Sequence, residues 1–188
     1  MGQQVKVRVG RDSRVCQGDV FRDVEFLEYV AEESGIIEVS RIVFPLAVVL
    51  TQDCDLMQDF RTRYGRKNRP STQDKLLLSV LVAPIYNLEH VYLGEHLDTL
   101  DIEMEPITRN RTPGKYLVSN QRPRYHYLEF PDSIPIPPSV VDFKHYFSVT
   151  VEYLKQSKEG NFVCNIAPLH REDLAQRFAA FLGRIGVP

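Results

Sequence analysis

The chain has few of the residues and segments that mark special classes of protein. Its three cysteines, Cys16, Cys54 and Cys164, include no CxxC pair, which argues against a disulfide framework and against a cysteine-rich zinc site. No apolar run approaches the ~20 residues that cross a bilayer, and the first residues lack the apolar core of a secretion signal. These absences predict a cytoplasmic protein with reduced thiols and no membrane partner.

A strong net charge is also missing. The chain carries 23 Lys and Arg against 25 Asp and Glu, for a formal net charge of -2. A balanced chain has no overall field that attracts nucleic acid or an anionic membrane, so nucleic-acid binding must rest on a local patch. The 188 residues, 43% of them hydrophobic, suit one globular domain over residues 1–188.

Apolar periodicity predicts a fold that is mainly β. Residues 20–42 alternate apolar and polar side chains around a break at Ser34-Gly35, which indicates a hairpin. A helix over residues 21–33 is the alternative that the spacing leaves open.

Two apolar runs are typical of central strands that are buried on both faces. They are AVVLT at residues 47–51 and KLLLSVLVAPIY at residues 75–86. The segment between them is polar and basic and is broken by Gly65 and Pro70, so it predicts a flexible loop.

The C-terminal half predicts short elements followed by an amphipathic helix. After Pro168, apolar side chains recur at helical spacing up to a stop at Gly186, which predicts a helix over residues 168–186. The other predicted elements are a short helix at residues 89–100, strands at residues 115–118 and 124–130, an extended proline-rich connector at residues 130–139, and a long hairpin of residues 140–154 with residues 162–168. Together these elements form an α+β fold.

The first central strand is followed by Asp53-Cys54-Asp55. Alternation along a strand puts the two carboxylates on one face and Cys54 on the other, so this stretch offers a divalent cation only two protein ligands. Neighbouring carboxylates also disfavour the thiolate that a nucleophilic cysteine needs. We therefore expect a structural strand end, with Cys54 packed in the core, and no cofactor. The alternatives that stay open are a catalytic role for Arg41, Asp53 and Asp55, and a metal site of Cys54 with His126 or His145.

Two basic segments carry the strongest functional signal. Guanidinium groups bind phosphate bidentately and aromatic rings stack on unpaired bases, so segments that mix the two are typical of single-stranded RNA or DNA binding. The alternative is a pair of solvated surface loops that the acidic residues 25–33 balance. The candidate nucleic-acid-binding residues are Arg61, Arg63, Arg66, Lys67 and Arg69 in the first segment, and Arg109, Arg111, Lys115, Arg122, Arg124 and Tyr125 in the second.

The order of GDVF at residues 18–21, a hairpin, FPLAVVLT, a basic loop and LLLSVLVAPIY resembles the core of the PemK/MazF-type toxins over residues 18–86. The resemblance implies a small SH3-like barrel. The elements predicted from periodicity extend this barrel by added strands and loops at residues 87–167, which include a long extra hairpin, and by the helix at residues 168–186. It also implies RNA cleavage, in which an Arg before the strand proline stabilises charge on the phosphate and a Thr or Ser at the end of the later strand assists. Phe44 and Tyr86 stand at these positions here.

A second resemblance is to uncharacterised bacterial proteins that combine a Q-x-C-D-L strand end with a C-terminal R-x-x-L-x-x-x-F helix; it implies no activity. The first resemblance and the basic segments predict a bacterial or phage protein of a toxin or antiphage-defence system that binds single-stranded RNA or DNA, with ribonuclease activity as the implied chemistry. The alternative is a non-enzymatic protein-interaction subunit of a defence or regulatory complex. It binds the product of a neighbouring gene through residues 140–154 or the terminal helix.

Overall fold

The computed structural model describes residues 4–65 and 73–184, and these residues form eight strands and four α-helices. The strands are β1 (Val7–Arg8), β2 (Asp19–Glu33), β3 (Ile36–Val49), β4 (Val80–Asn87), β5 (Tyr125–Leu128), β6 (Ser139–Asp142), β7 (Phe147–Val149) and β8 (Phe162–Ile166). The helices are α1 (Asp53–Tyr64), α2 (Leu88–Leu93), α3 (Val151–Ser157) and α4 (Pro168–Leu182). Short 3-10 turns lie at Gln73–Lys75, Asp98–Leu100, Gly114–Tyr116 and Phe143–His145. No helix in the described ranges has the length and apolarity to cross a membrane.

The strands form one antiparallel sheet that curls into a half-barrel. Its order is β1-β8-β2-β3-β4-β6-β5, and β7 pairs with β4. Strand β4 changes partners along its length: Val80 pairs with Val149 of β7, whereas Ile85 pairs with Val141 of β6. The fold is therefore mainly antiparallel β with a few helices, which confirms the predicted α+β, barrel-like class.

Hydrophobic side chains pack on both faces of the curled sheet. Because side chains alternate along a strand, Val48 and Val49 of β3 enter different clusters. The cluster around Val48 is closed by α4, and the cluster around Val49 is closed by α3. A third cluster lies between α2, the end of β4 and β5, and its members include Tyr86, Tyr92, Leu117, Tyr125 and Tyr127.

Helix α4 follows from local sequence and from burial together. Pro168 is its first residue, a position where the missing N–H costs nothing. Leu174, Phe178 and Phe181 are buried against the sheet, as the periodicity predicted. Leu182 is 50% exposed and ends the helix at the edge of the core; the predicted stop at Gly186 lies outside the described residues.

A buried ion network fixes the start of β2. The carboxylate of Asp19 accepts hydrogen bonds from Lys158 Nζ at 2.7 Å, from Asn165 Nδ2 at 2.8 Å and from the Cys16 N–H at 2.9 Å. Asp19 is 1% exposed and Lys158 is 6% exposed. The network therefore links β2 and β8 to the residue that follows α3.

The strands β2 and β3 continue as a long hairpin that we call the arm, residues 25–43. Within the described residues, β2 pairs with β8 only at residues 19–21 and β3 pairs with β4 only at residues 47–49, so the arm has no strand neighbour. Its turn, Ser34-Gly35, has φ angles of 54° and 79°, the geometry that tight hairpin turns use.

One face of the arm exposes aliphatic side chains to solvent, with Glu25, Glu32 and Arg41 among them. Val30 pairs with Val39 and Leu27 with Arg41, and alternation puts Ile37 and Val43 on the same face. The five apolar side chains of this face, Leu27, Val30, Ile37, Val39 and Val43, are between 48% and 67% exposed. The opposite face packs on the core near the barrel and is mixed farther out, where the Ser40 hydroxyl donates to Glu28 and Tyr29 and Ile36 are exposed.

Several predicted elements are confirmed. The hairpin forms rather than a helix over residues 21–33, the central strand at residues 47–51 lies at the end of β3, and residues 124–130 contain β5. The short helix predicted at residues 89–100 is α2, and it ends early because Gly94 adopts φ 81°.

Three predicted elements are wrong. Asp53-Cys54-Asp55 is the first turn of α1 rather than a strand end, so part of the predicted flexible loop is helical. Residues 115–118 form a 3-10 turn and its continuation instead of a strand. The long final hairpin does not form, because the Thr150 hydroxyl caps α3 by accepting from the Tyr153 N–H at 3.2 Å, and because β7 and β8 pair with different strands.

Candidate functional site

Asp53 is held by two arginines and a backbone amide. Arg14 donates to its two carboxylate oxygens at 3.0 and 2.8 Å, the Gln17 N–H donates at 3.2 Å, and Arg171 lies 3.7 Å away. Burial raises the pKa of Asp53, but the hydrogen bonds and charge of Arg14 outweigh burial and hold the pKa below its ordinary value. The geometry is that of a structural ion pair that ties the segment before β2 to α1 and α4.

Cys54 is exposed, so the prediction that it packs in the core is wrong. Its thiol lies 3.6 Å from oxygens of Gln52 and Asp55, which is also exposed. On a helix, residues two apart point about 200° away from each other, so Asp53 and Asp55 do not share the face that a strand would give them. Arg41 lies on the arm, where it pairs with Glu25 at 3.1 Å. The three catalytic candidates therefore do not form one constellation.

The structure separates the three metal candidates by environment. Cys54 is exposed on α1, whereas His126 is 3% exposed and stacks at a tilt against Phe143. Burial, together with the charges of Arg177 and His170, lowers the pKa of His126 to about 3. Within residues 4–65 and 73–184, no group of three or more His, Cys, Asp or Glu side chains is placed to hold a metal ion.

Several of the predicted nucleic-acid-binding arginines are engaged within the protein. Arg63 pairs with the buried Asp59 at 2.9 Å and donates to the Leu77 carbonyl at 2.7 Å. Arg109 pairs with Glu89 and lies over the Tyr92 ring at 4.4 Å. Arg61, Arg111 and Lys115 are exposed, Arg122 is partly buried, and Arg66, Lys67 and Arg69 lie outside the described residues.

A cluster that we call the Asp142 site brings Arg124 and His145 together with three residues that the sequence analysis did not predict as site residues. Its five members are Tyr86 at the end of β4, His96 after α2, Arg124 before β5, and Asp142 and His145 at and after the end of β6. Tyr125, the aromatic candidate of the second basic segment, is buried beside it, with the Arg124 guanidinium 4.9 Å from its ring centre.

Asp142 anchors the Asp142 site. Its carboxylate is 1% exposed and accepts from Arg124 Nε at 2.8 Å, from Arg124 Nη2 and from the Lys144 N–H at 3.0 Å. Two parallel N–H groups of a guanidinium match the two oxygens of a carboxylate, so Asp142 fixes the plane of Arg124. Among the described residues, Nη1 of Arg124 has no hydrogen-bond partner, and the side chain is 27% exposed.

Three rings pack above this ion pair. Nδ1 of His145 lies 3.0 Å from the Tyr86 hydroxyl oxygen and 3.7 Å from Asp142. The Tyr86 ring meets the His96 and His145 rings edge-on, at centroid distances of 5.0 and 5.7 Å. The two imidazoles are nearly parallel, with centroids 6.4 Å apart. Neither ring nitrogen of His96 has a hydrogen-bond partner among the described residues.

The environment of the rings sets their protonation. Burial lowers the pKa of His145, although the negative charge of Asp142 acts in the opposite direction. Burial also lowers the pKa of His96, and there the charge of Asp142 and the nearby His90 backbone act in the opposite direction. Burial raises the pKa of Tyr86. At neutral pH the site therefore combines neutral imidazoles, a protonated phenol and a guanidinium that is paired with the Asp142 carboxylate, and the N–H groups of Arg124 that Asp142 does not bind are the ones that can meet an anion.

Local sequence offers one weak signal for this site: Asp142 and His145 stand three residues apart within residues 140–154, which were predicted as a strand. Tyr86 and His96 give none, because only the pairing of β4 with β6 and the packing of α2 bring them to the same place. No protein family, curated protein or solved structure matches the chain.

Proposed function

We propose that this chain is a PemK/MazF-like barrel that binds single-stranded RNA, as part of a bacterial or phage toxin or antiphage-defence system. The observation that carries the proposal is the Asp142 site, where a guanidinium with a free N–H edge lies beside two imidazoles and two tyrosines. The exposed guanidinium edge is the group that recognises a phosphate, and the buried Tyr86 and Tyr125 hold the site in place.

The second basic segment supports the same assignment. Its 3-10 turn at Gly114–Tyr116 leads into Leu117, which packs in one hydrophobic cluster with Tyr86 and Tyr125. The exposed Arg111 and Lys115 lie on the segment that this cluster anchors. The sequence GDVF at residues 18–21 and the curled sheet support a PemK/MazF-like barrel. Tyr86, at the position where the toxin resemblance implies an assisting Thr or Ser, belongs to the Asp142 site.

We expect charge reversal of the exposed basic residues to weaken RNA binding. The variant Arg111→Glu/Lys115→Glu should raise the Kd for a fluorescent single-stranded RNA by roughly tenfold or more at low salt. Loss of two phosphate contacts should also reduce the slope of log K against log salt by about 1.4. Fluorescence anisotropy over a salt series measures both quantities.

The control is Lys6→Glu/Arg22→Glu, which changes the net charge equally at exposed positions outside both basic segments. We expect its salt slope to match that of the wild type. If the two double variants change the Kd and the salt slope equally, only net charge matters, and Arg111 and Lys115 do not form a binding surface. Arg63 is unsuitable for this test, because its reversal also removes the partner of the buried Asp59.

The arm favours a second candidate function, a protein-interaction subunit. One of its faces exposes five aliphatic side chains beside Glu25, Glu32 and Arg41, and aliphatic side chains exposed together in this way mark an interface. The arm also carries five acidic residues and one basic residue, Arg41. The acidic residues repel RNA, and they also repel a second copy of the arm. The partner that this face fits is therefore a basic protein, and we expect a neighbouring gene to encode it.

Ile37 and Ile36 provide a matched pair of variants for this candidate. They are 67% and 72% exposed, and alternation places them on opposite faces of the arm. With the neighbouring gene product co-expressed, Ile37→Ser should weaken the complex by roughly tenfold or more, whereas Ile36→Ser should leave it intact. Calorimetry on the purified proteins measures both affinities, and an equal loss in the two variants would contradict the assignment to one face.

A further inference from the structure

We propose that Lys158 and Asn165 join in an amide cross-link after the chain has folded, and that Asp19 and Arg8 promote the reaction. The freshly folded chain holds the buried ion network at the start of β2, and the cross-link then forms within it. The product is a secondary amide between Nζ of Lys158 and Cγ of Asn165, and ammonia is released. This modification is separate from the Asp142 site and from nucleic-acid binding.

One carboxylate holds both reacting side chains. Nζ of Lys158 donates to Oδ2 of Asp19 at 2.7 Å, and Nδ2 of Asn165 donates to Oδ1 at 2.8 Å. Asp19 and Asn165 are direct partners in the pairing of β2 with β8, so their side chains lie on the same face of the sheet. Asp19 therefore touches both the nucleophile and the group that leaves.

The surroundings of the network favour a neutral amine. Asp19, Lys158 and Asn165 are each at most 6% exposed, and Nζ of Lys158 lies 5.1 Å from the centre of the Phe162 ring. Burial raises the pKa of Asp19, although the charge of Lys158 acts in the opposite direction. Transfer of one proton from the ammonium to the carboxylate replaces two buried charges by neutral groups. The neutral amine is a nucleophile, whereas the ammonium is not.

Arg8 polarises the carbonyl group that is attacked. Its Nη2 donates to Oδ1 of Asn165 at 3.2 Å, so a positive charge lies where negative charge develops during the attack. Nδ2 of Asn165 also donates to the Gln17 carbonyl at 3.0 Å, which together with Asp19 fixes the plane of the carboxamide. The electrophile and the proton carrier are thus held by hydrogen bonds before the reaction begins.

The reaction balances within these groups. Asp19 takes a proton from the Lys158 ammonium, and the lone pair of Nζ attacks Cγ of Asn165. Arg8 stabilises the negative charge that forms on Oδ1. Asp19 then gives its proton to Nδ2 and takes the second proton from Nζ. The bond from Cγ to Nδ2 breaks, ammonia leaves, and Asp19 releases its proton to the solvent or to the ammonia.

The experiment follows the mass of the full chain, made by cell-free synthesis and then held folded at pH 7. We expect the wild-type mass to fall below that of its sequence by about 17 Da, the mass of ammonia. Trypsin should stop cleaving after Lys158, and fragment spectra should place the loss between residues 158 and 165. A wild-type chain that keeps the mass of its sequence overturns the proposal.

Two lysine variants identify the nucleophile. Lys158→Arg keeps a cation beside Asp19 but has no amine that forms this amide, so it should retain the mass of its sequence. The control Lys144→Arg, at an exposed lysine outside the network, should lose ammonia as the wild type does. A loss of about 17 Da that persists in Lys158→Arg comes from another group of the chain and overturns the proposal.

Arg8→Ala tests how the reaction is promoted without disturbing the buried charges. The Arg8 side chain is 57% exposed, so we expect the variant to melt at the temperature of the wild type. Its cross-linking rate should fall by about tenfold or more, because the group that stabilises charge on Oδ1 is lost. Mass spectra taken at intervals after synthesis measure both rates. Equal rates in the two proteins overturn the role of Arg8.

Discussion

Replacing Asp19 by alanine should destabilise the fold by about 3 to 5 kcal/mol. Asp19 and Lys158 are both buried, and the carboxylate accepts three hydrogen bonds from Lys158, Asn165 and the Cys16 backbone. Without it, the ammonium of Lys158 stays inside the protein next to the Arg14 carbonyl but without a counter-charge. Urea unfolding of the variant and the wild type measures the difference directly.

Two further variants show whether the unpaired charge is the cause. Asp19→Ala/Lys158→Met removes both charges and should recover a large part of the loss, because an ion pair replaced by apolar groups costs far less than one left broken. Asp132→Ala, at an exposed aspartate, should stay within about 0.5 kcal/mol of the wild type. An Asp19→Ala protein as stable as the Asp132→Ala protein would contradict this account of the network.

Acidification from pH 7 to pH 5 should cost the fold about 2 kcal/mol through His126 alone. Burial lowers the pKa of His126 from 6.5 to about 3, so the folded protein holds this ring neutral. The stability that comes from the neutral ring is complete above the unfolded pKa of 6.5 and is lost as the pH falls toward 3. The reason is that between these two pH values the imidazole of His126 binds a proton in the unfolded chain but not in the folded one.

The test compares pH series of urea unfolding for the wild type and His126→Phe. Phenylalanine preserves a ring against Phe143 and does not titrate, so the variant should lose about 2 kcal/mol less over the same interval. The lowered pKa values of His96 and His145 act in the same direction in both proteins and cancel in the difference. If the free energy of unfolding falls equally with pH in the two proteins, the prediction is wrong, because His126 is then protonated as easily in the folded protein as in the unfolded chain.

Local sequence predicted the elements whose pattern and stop signals agree. The arm has alternation on both sides of a Ser-Gly turn, and α4 has a proline start with apolar residues at helical spacing. For α1, the acidic first turn and basic last turn agree with a helix, but the apolar residues do not, and the polar composition indicated a loop. Asp59 resolves the conflict in the structure, since it is buried and binds both Arg63 and the Leu77 N–H.

The prediction of a long final hairpin was wrong for a different reason. Its residues are β-branched and aromatic, and β7 and β8 are strands, as that composition predicts. Their partners are set by the curl of the sheet, which takes β7 to β4 and β8 to β2, and the segment between them is free to form α3 behind the Thr150 cap. Strand propensity selects a conformation but not a neighbour.

The sequence by itself determined the β-rich class of the fold, the arm and the terminal helix, because each depends on periodicity within one segment. It also located Arg124, Tyr125 and His145 as residues to examine, although for separate reasons. Only the tertiary structure decided which basic residues are already paired and which side chains meet at Asp142. Those contacts join positions as far apart as Tyr86 and His145, and distances across strands depend on pairing and register, which no local pattern encodes.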